Sequence, residues 1–364
     1  MEITIPTTER TRDWPIELKT LQEHIHTLVT LKETEAPVVS VYLNPQQDPA
    51  ELRDFTKSRV SVLMNSLSQD HLRHFQRATD RIGRFLSQGL RGKPQGAAIF
   101  ARAGTRPFFL TLQFGVPLPN VITVAPHPSV FHLVELKDVY HRYVVVVLND
   151  QGARILEVNV GAVTKNVWSA HPGVHAHIDP TWTREAYHHH RERQTDRFIK
   201  EKINVLDRVM SAGGYAHLIL AGNPQMAWRF RNALPHHLST KFIEVIETSC
   251  QNTGYDIVTA TIAAFLEREQ EESLSMVECL LRKINTSGLA LAGPHATIQA
   301  LQLGIVDVLI MLKSFNPEGD LKDRMVKMAE VNGCKTEIVN ASDALERLGG
   351  VGCLLRYRVH TGNE

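Results

Sequence analysis

Hydrophobic and polar positions follow a clear order in the first third of the chain. Residues 17–32 have the spacing of an amphipathic helix. The apolar positions on its one side are Leu18, Leu21, Ile25 and Leu28. The β-branched run APVVSVYLNP then predicts a buried strand that ends at a turn-forming Asn-Pro pair. A long helical region follows, and GAAIFA and FFLTLQF predict two further strands.

The middle of the chain begins with three strand patterns joined by short turns: RYVVVVLND, QGARILEV and TKNVWSA. A long helix is predicted downstream, and Gly213-Gly214 ends it. Its apolar positions are Ile199, Ile203, Leu206 and Met210. The continuous apolar run AHLILAG is typical of a strand inside a parallel sheet, and WRFRNAL and TATIAAFLERE predict more helices.

The last 90 residues alternate between strand and helix. The predicted strands are SGLALAG, VDVLIML, TEIV and GCLLRYRV. The predicted helices are HATIQALQLG, LKDRMVKMAEVNG and ASDALERLGG. This alternation predicts an α/β sandwich.

A chain of 364 residues exceeds one ordinary hydrophobic core. The proline-rich stretch VPLPNVITVAPHP and the acid-rich stretch EREQEES indicate two boundaries. We therefore expect three α/β domains with mixed sheets, at residues 1–135, 136–272 and 273–364.

The composition is that of a globular protein, with 43% hydrophobic and 22% charged residues. The sequence contains no apolar run near the ~18 residues that would span a bilayer, and its polar beginning does not resemble a signal peptide. The four cysteines are scattered without a CxxC pair, which is typical of reduced thiols. We expect a cytoplasmic protein with no membrane partner.

Positive charge is concentrated early in the chain. From Arg53 to Arg106 there are eleven Lys and Arg against three acids, whereas residues 273–364 have ten of each sign. The candidate RNA contacts here are Lys57, Arg59 and a helical stripe of Arg73, Arg77, Arg81 and Arg84. The alternative is an ordinary solvated helix face.

A histidine-rich segment, HPGVHAHIDPTWTREAYHHHRERQ, occupies residues 171–194. Imidazoles could bind zinc or act as general bases, yet adjacent histidines on a helix point about 100° apart, and HExxH is absent. Contact with RNA through cationic and aromatic side chains is the interpretation we favour, against a polar loop without a ligand. Its candidate residues are His175, His177, Trp182, Arg184, Tyr187, His188, His189, His190, Arg191 and Arg193.

Several segments together resemble the superfamily of Pelota and the archaeal–eukaryotic class-1 release factors. The specific ones are GLALAGPHATIQALQLGIVDVLIML and LGGVGCLLRYRV in the last domain. RYVVVVLNDQGARILEV and LILAGNP resemble strands of the middle domain, and PVVSVYLNP and PQGAAIFA resemble strands of the first. The resemblance covers nearly the whole chain in the right order.

This resemblance implies a three-domain protein that imitates a tRNA in the ribosomal A site. The first domain would face the decoding centre in 16S rRNA, and the tip of the middle domain would face the peptidyl-transferase centre in 23S rRNA. The last domain would dock with a translational GTPase, elongation factor Tu in a bacterium.

Two motifs of the superfamily are missing. Its release factors carry a hydrolytic Gly-Gly-Gln between a strand and the long helix, where this chain has the histidine-rich segment. The stop-codon motif Asn-Ile-Lys-Ser has only a partial counterpart in FTKSRV. We expect a ribosome-binding protein of the bacterial branch, similar to the Balon-like hibernation factors of the stress response, without enzymatic activity, cofactor or metal. The alternative is a rescue or release factor that hydrolyses peptidyl-tRNA with a variant tip.

Overall fold

The computed structural model describes residues 9–10, 16–90, 92–150, 152–170, 184–249, 251–286, 288–317 and 319–357. The chain divides into two compact units, Met1–Tyr140 with Glu269–Glu364, and His141–Arg268. Three mixed sheets with helices packed on them make up the described residues, which confirms the predicted α/β class. No helix among these residues has the length and apolarity to cross a membrane.

The bounds of the elements are as follows. The strands are β1 (Glu9–Arg10), β2 (Val38–Leu43), β3 (Gly96–Arg102), β4 (Phe108–Phe114), β5 (Val121–Ala125), β6 (Tyr143–Asn149), β7 (Gly152–Asn159), β8 (Ala162–Ala170), β9 (His217–Gly222), β10 (Phe242–Glu247), β11 (Ala290–Ala292), β12 (Val306–Leu312), β13 (Lys335–Val339) and β14 (Val351–Leu355). The helices are α1 (Leu18–Val29), α2 (Pro49–Ser66), α3 (Gln69–Ser87), α4 (Phe131–Val139), α5 (Arg184–Gly213), α6 (Pro224–Asn232), α7 (His236–Ser239), α8 (Gly254–Thr286), α9 (Pro294–Gln302), α10 (Leu321–Val331) and α11 (Asp343–Arg347).

The first sheet has the strand order β1-β4-β3-β2-β5, with β1 parallel to β4 and the remaining pairs antiparallel. Helix α3 buries its apolar face against this sheet, where it meets Val39, Val41 and Ile99. Helix α2 begins at Pro49, and the Asp48 carboxylate caps it by accepting from the backbone N–H groups of the first turn. The two helices thus cover one face of the sheet and leave their outer surfaces in water.

The His141–Arg268 unit contains the sheet β10-β9-β6-β7-β8, in which β10, β9 and β6 are parallel and β6, β7 and β8 form an antiparallel meander. Helix α5 buries the predicted apolar positions Ile199, Ile203, Leu206 and Met210 on one face. Residues Ile257 and Phe265 of α8 pack on the other face, where the Phe265 ring stacks on Tyr143. Strand β9 is buried on both sides, as its continuous apolar run predicted, and β6 beside it is buried in the same way.

The third sheet has the order β11-β14-β12-β13 and belongs to the same compact unit as the first. Helix α4 packs against its edge strand β13, where the Asp138 carboxylate accepts from the backbone N–H of Ile338 at 2.5 Å. An ion pair of 2.6 Å joins Lys313 to Glu135 of α4, and Ser129 donates to Asp323. These contacts satisfy buried carboxylates that would otherwise oppose folding.

Two stretches contain structure that the sequence analysis did not predict. The proline-rich stretch, after which a boundary near residues 130–140 was predicted, contains β5, which pairs with β2, and α4 follows it. The acid-rich stretch predicted as the second boundary lies inside α8, which runs for 33 residues without a break. The three predicted domain ranges remain predictions, although each range carries one of the three sheets.

Candidate RNA-binding surfaces

Helix α3 presents an arginine face to solvent. Its buried residues Phe75, Ala78 and Ile82 point at the sheet. Arg73, by its position on an ideal helix, lies about 140–200° away from them around the axis. The apolar face of α3 therefore packs on the sheet, while the arginines lie on the opposite, polar face.

Three of the four predicted stripe residues form a compact exposed group. Arg73, Arg77 and Arg84 lie within about 40° of one another around the helix axis, and all three are exposed. Among the described residues, no carboxylate pairs with them. Three uncompensated guanidinium groups in a row on one helix face fit a row of phosphates.

Arg81 differs from its three neighbours. Its guanidinium carbon lies 4.5 Å from the centroid of the Phe109 ring of β4, and the side chain is half-buried. Burial, together with the nearby charge of Arg84, lowers the pKa of Arg81 below its usual value. The position of Arg81 on the helix, about 80° from Arg73, turns it toward Phe109 of the sheet and away from the stripe. We refer to Arg73, Arg77 and Arg84 as the α3 arginine face.

Lys57 and Arg59 lie on α2, and both are exposed. Lys57 has no carboxylate partner among the described residues. The Arg59 Nε donates to the backbone carbonyl of Ile122 in β5 at 3.3 Å, which holds this side chain along the sheet edge. The structure therefore leaves Lys57 available for an anion and gives Arg59 a partly structural role.

The histidine-rich segment connects β8 to α5. His175, His177 and Trp182 lie outside the described residues. Arg184, Tyr187 and His188 belong to the first turns of α5, but their side chains lie outside the described part. The roles predicted for these six residues remain predictions.

Four further predicted residues occupy the next turns of α5, and all are exposed: His189, His190, Arg191 and Arg193. His189 Nδ1 lies 3.8 Å from the Glu192 carboxylate, and the Gln194 amide lies 2.7 Å from His190 Nε2. The two imidazoles therefore contact different partners along the helix, and they do not converge on a common point. This arrangement suits contact with an extended anion better than coordination of one ion.

The sequence prediction missed a group on α6. Trp228 is 50% exposed, and the Arg231 guanidinium carbon lies 5.9 Å from the centroid of its ring. Arg229 donates to the Asp196 carboxylate of α5 at 3.0 Å. The segment WRFRNAL predicted a helix, and alternation of aromatic and basic residues within it was the available signal.

Comparison with known proteins finds similarity to one protein superfamily. Residues 128–266 match the family model of bacterial archaeo-eukaryotic release factor family 10. The Pelota homologue of Pyrococcus furiosus is 22% identical over 290 residues, which cover 70% of this chain and 77% of the relative. Both matches are to proteins of the Pelota and release-factor superfamily, so they support the resemblance seen in the sequence.

Solved structures of superfamily members align along much of the chain at low identity. Archaeal Pelota, from a model of ribosome-bound Pelota and ABCE1, covers 94% of each chain at 15% identity with a TM-score of 0.45. Dom34 of S. cerevisiae, described as a translation termination-like factor that interacts with Hbs1, covers 74% of this chain and 82% of its own at 13% identity, with a TM-score of 0.42. The archaeal termination factor aRF1 covers 94% of this chain and 99% of its own at 16% identity, with a TM-score of 0.29.

Proposed function

We propose that this chain is a ribosome-binding translation factor that occupies the A site of idle or stalled ribosomes without hydrolysing peptidyl-tRNA. The observation that carries this proposal is the connection between β8 and α5 in a chain that resembles the release-factor superfamily. Residues 171–183, HPGVHAHIDPTWT, contain one glycine and no glutamine. The hydrolytic Gly-Gly-Gln of release factors has no counterpart there.

The two Gly-Gly pairs of the chain support the same conclusion. Gly213-Gly214 ends α5, and Gly349-Gly350 precedes β14. Gly214, Gly349 and Gly350 have positive φ angles of 64°, 90° and 77°, so they serve turns that other residues adopt poorly. Neither pair is followed by glutamine, and each has a structural reason to be present.

The α3 arginine face supports contact with RNA. Its three guanidinium groups are exposed on a helix that is firmly packed on the first sheet. Attraction between such a face and phosphate falls with salt, because binding releases counterions from the nucleic acid. We propose that this face and Lys57 contact 16S rRNA near the decoding centre, and that residues 171–193 approach 23S rRNA.

The proposed protein partner is elongation factor Tu or a similar translational GTPase. Two relatives are named with partners, Dom34 with Hbs1 and archaeal Pelota with ABCE1 on the ribosome. Around the third sheet, the apolar residues that follow α9, end α10 and follow β14 are exposed by 67%, 55% and 58%: Leu303, Val331 and Tyr357. Arg356 donates to the backbone carbonyls of Ile305 and Asn332, so these apolar side chains lie at the same end of the sheet. Exposed apolar groups of this kind suit a protein partner.

One experiment tests binding and hydrolysis together. Ribosomes that carry labelled peptidyl-tRNA in the P site and an empty A site are incubated with the protein and then pelleted. We expect the protein in the pellet and the peptidyl-tRNA ester intact at the spontaneous background rate, while puromycin, as a control, releases the label. Protein-dependent release of the peptide would instead establish the variant-tip rescue factor.

A further inference from the structure

Trp228 is an exposed aromatic residue that the proposed contacts on α3 do not explain. Helix α6 buries Met226, Ala227 and Phe230 in the core, so its packing face is complete without the tryptophan. Trp228 stands 50% exposed on the remaining face. A large indole at a solvent position contributes little to folding, and this leaves one face of its ring available to a ligand.

Arg231 lies beside the indole, and no acidic partner for it occurs in the described part of the chain. Its guanidinium carbon is 5.9 Å from the Trp228 centroid and 5.6 Å from the Phe242 centroid. Its Nε is buried without a hydrogen-bond acceptor, and no carboxylate pairs with the group among the residues that the structure describes. The guanidinium is therefore held by two rings while its charge remains uncompensated.

Helix α5 adds cations near Arg229, the sequence neighbour of Trp228. The 3.0 Å ion pair between Arg229 and Asp196 fastens α6 to α5. Arg193 and Lys200 lie about one turn before and one turn after Asp196, so the three share a helix face. Both cations are exposed, and neither has a carboxylate partner within the described part of the chain. The surface formed by Trp228, Arg231, Arg193 and Lys200 is named the α5–α6 patch below.

We propose that the α5–α6 patch binds an unpaired RNA base, which stacks on Trp228 while Arg193, Lys200 and Arg231 contact the adjoining phosphates. This inference rests on the proposed function for its ligand class, RNA, and adds a specific site for it in the His141–Arg268 unit. Every base has a π-face, so one indole flanked by cations accepts unpaired nucleotides of any sequence.

The chemistry of the patch favours RNA over a protein partner. A protein interface usually surrounds a tryptophan with further apolar side chains. Among the described residues of α5, α6 and α7, Trp228 is the one large hydrophobic side chain that is strongly exposed. Its surroundings are cationic, and the nearby acid Asp196 is already paired with Arg229.

The test measures binding of the full chain to labelled RNA by fluorescence anisotropy. The probes are an unstructured single strand of about 12 nucleotides and the blunt duplex of the same strand. Trp228→Ala and Trp228→Leu should weaken single-strand binding by roughly 5- to 100-fold, because both remove the π-face. Trp228→Phe keeps an aromatic face and should stay within about threefold of the wild type. Duplex binding should change by less than about twofold in all three, since paired bases cannot stack on the indole.

Two controls separate stacking from general effects. Tyr255→Ala removes another exposed aromatic ring of the same unit, on α8, and should bind the single strand as the wild type does. Arg193→Ala with Lys200→Ala should reduce the dependence of log K on log salt by about one to one and a half, as two lost phosphate contacts require. Thermal unfolding of each variant verifies that the fold is intact.

Each outcome decides the inference. Three results would overturn it. The first is an equal affinity of the wild type and Trp228→Ala for the single strand. The others are an equal loss of affinity for the duplex in Trp228→Ala and no binding of RNA by the wild type. The proposed function fails separately, when the wild type does not pellet with ribosomes although Trp228→Ala weakens single-strand binding. If the wild type pellets with ribosomes but Trp228→Ala binds the single strand as the wild type does, the α5–α6 patch is not an RNA site. The proposed function is then unaffected.

Discussion

Gly222 shows why a single residue type is required at the end of β9. Its φ angle is +106°, and a Cβ atom added there would lie 2.1 Å from the backbone oxygen of Leu148 on β6. We predict that Gly222→Ala lowers the free energy of unfolding by about 3 kcal/mol, because backbone strain and a contact with rigid backbone combine. Urea denaturation measures this loss.

A matched glycine gives the control for that prediction. Gly214 has a φ angle of +64°, and the nearest atom to an added Cβ is the Arg142 Nη2 at 3.9 Å. Gly214→Ala should therefore cost about 1 kcal/mol from backbone strain alone. Equal losses at the two positions would contradict the role assigned to the approach of Leu148.

Lys322 gives a prediction about pH. Its ammonium lies 3.6 Å from the Phe131 ring centroid and donates to the backbone carbonyl of Lys313. Burial lowers the pKa of Lys322 from 10.5 to about 8, although the charges of Glu135 and Asp323 oppose this shift. Between these two values the folded state binds fewer protons than the unfolded state, so this residue makes stability rise as pH rises.

The substitution Lys322→Met removes that dependence. The free energy of unfolding of the variant minus that of the wild type should fall by about 1 kcal/mol between pH 7 and pH 10, since solvent screens the half-buried ammonium. Urea titrations at several pH values measure the difference, and Lys19→Met on the exposed face of α1 is the control. A difference independent of pH would show that the Lys322 site does not disfavour the charge.

Residue environments were the part of the site that sequence could not predict. The spacing placed Arg73, Arg77 and Arg84 on one exposed helix face, but it could not reveal that Arg81 instead packs over Phe109. Phe109 comes from another element, and the identity of such a neighbour depends on sheet order. The exposure of Trp228 was missed for the same reason, because spacing alone does not say where the core lies.

At the scale of elements, the α3 arginine face carries the clearest prediction. Arg73→Ala, Arg77→Ala and Arg84→Ala together should weaken ribosome binding about tenfold or more at moderate salt and reduce its salt slope by about two to three. Arg81 is left in place, because its contact with Phe109 supports the fold. Pelleting with 70S ribosomes over a salt series measures both quantities.

The matched control removes the same number of exposed cations elsewhere. Lys19, Arg282 and Arg347 are exposed on α1, α8 and α11. When all three are replaced by alanine, the affinity for ribosomes should stay within about twofold of the wild type. The salt slope should change by less than about 0.5. Equal effects of the two triple variants would mean that overall charge, and not the α3 arginine face, binds RNA.

Strongly patterned elements were predicted well, and two others were not. The apolar spacing of α1, α5 and the strands of the third sheet appears as buried side chains in the structure. Helix α4 was missed because it is short and buries apolar and acidic side chains on nearly all sides, Glu135 and Asp138 among them, so no amphipathic spacing marks it. Those carboxylates are satisfied by Lys313 and by the Ile338 N–H, and both partners come from sequence nearly 200 residues away.

Strand β5 illustrates a second limit. Its residues are mostly half-buried, and prolines surround them, so the segment looked like a linker. Pairing with β2 makes it a strand, and pairing of this kind is a tertiary event. The acidic stretch of α8 also makes a tertiary contact that the sequence does not show, since Ser273 donates to the Glu337 carboxylate there at 2.7 Å.

At the scale of the whole molecule, the resemblance to the superfamily was visible in the last domain and is supported by the match over residues 128–266. The compact unit that joins Met1–Tyr140 with Glu269–Glu364 was not predicted, because it depends on side-chain contacts between distant segments. Three statements remain proposals: that the chain has no enzymatic activity, that it binds a translational GTPase, and that it acts in hibernation.

A cryo-EM reconstruction of 70S ribosomes incubated with the purified chain tests the central claim most directly. We predict density for the chain in the A site, with the α3 arginine face against 16S rRNA and an intact peptidyl-tRNA in the P site. Density at another ribosomal site, or a P-site tRNA that has lost its peptide only when the chain is bound, would contradict the account.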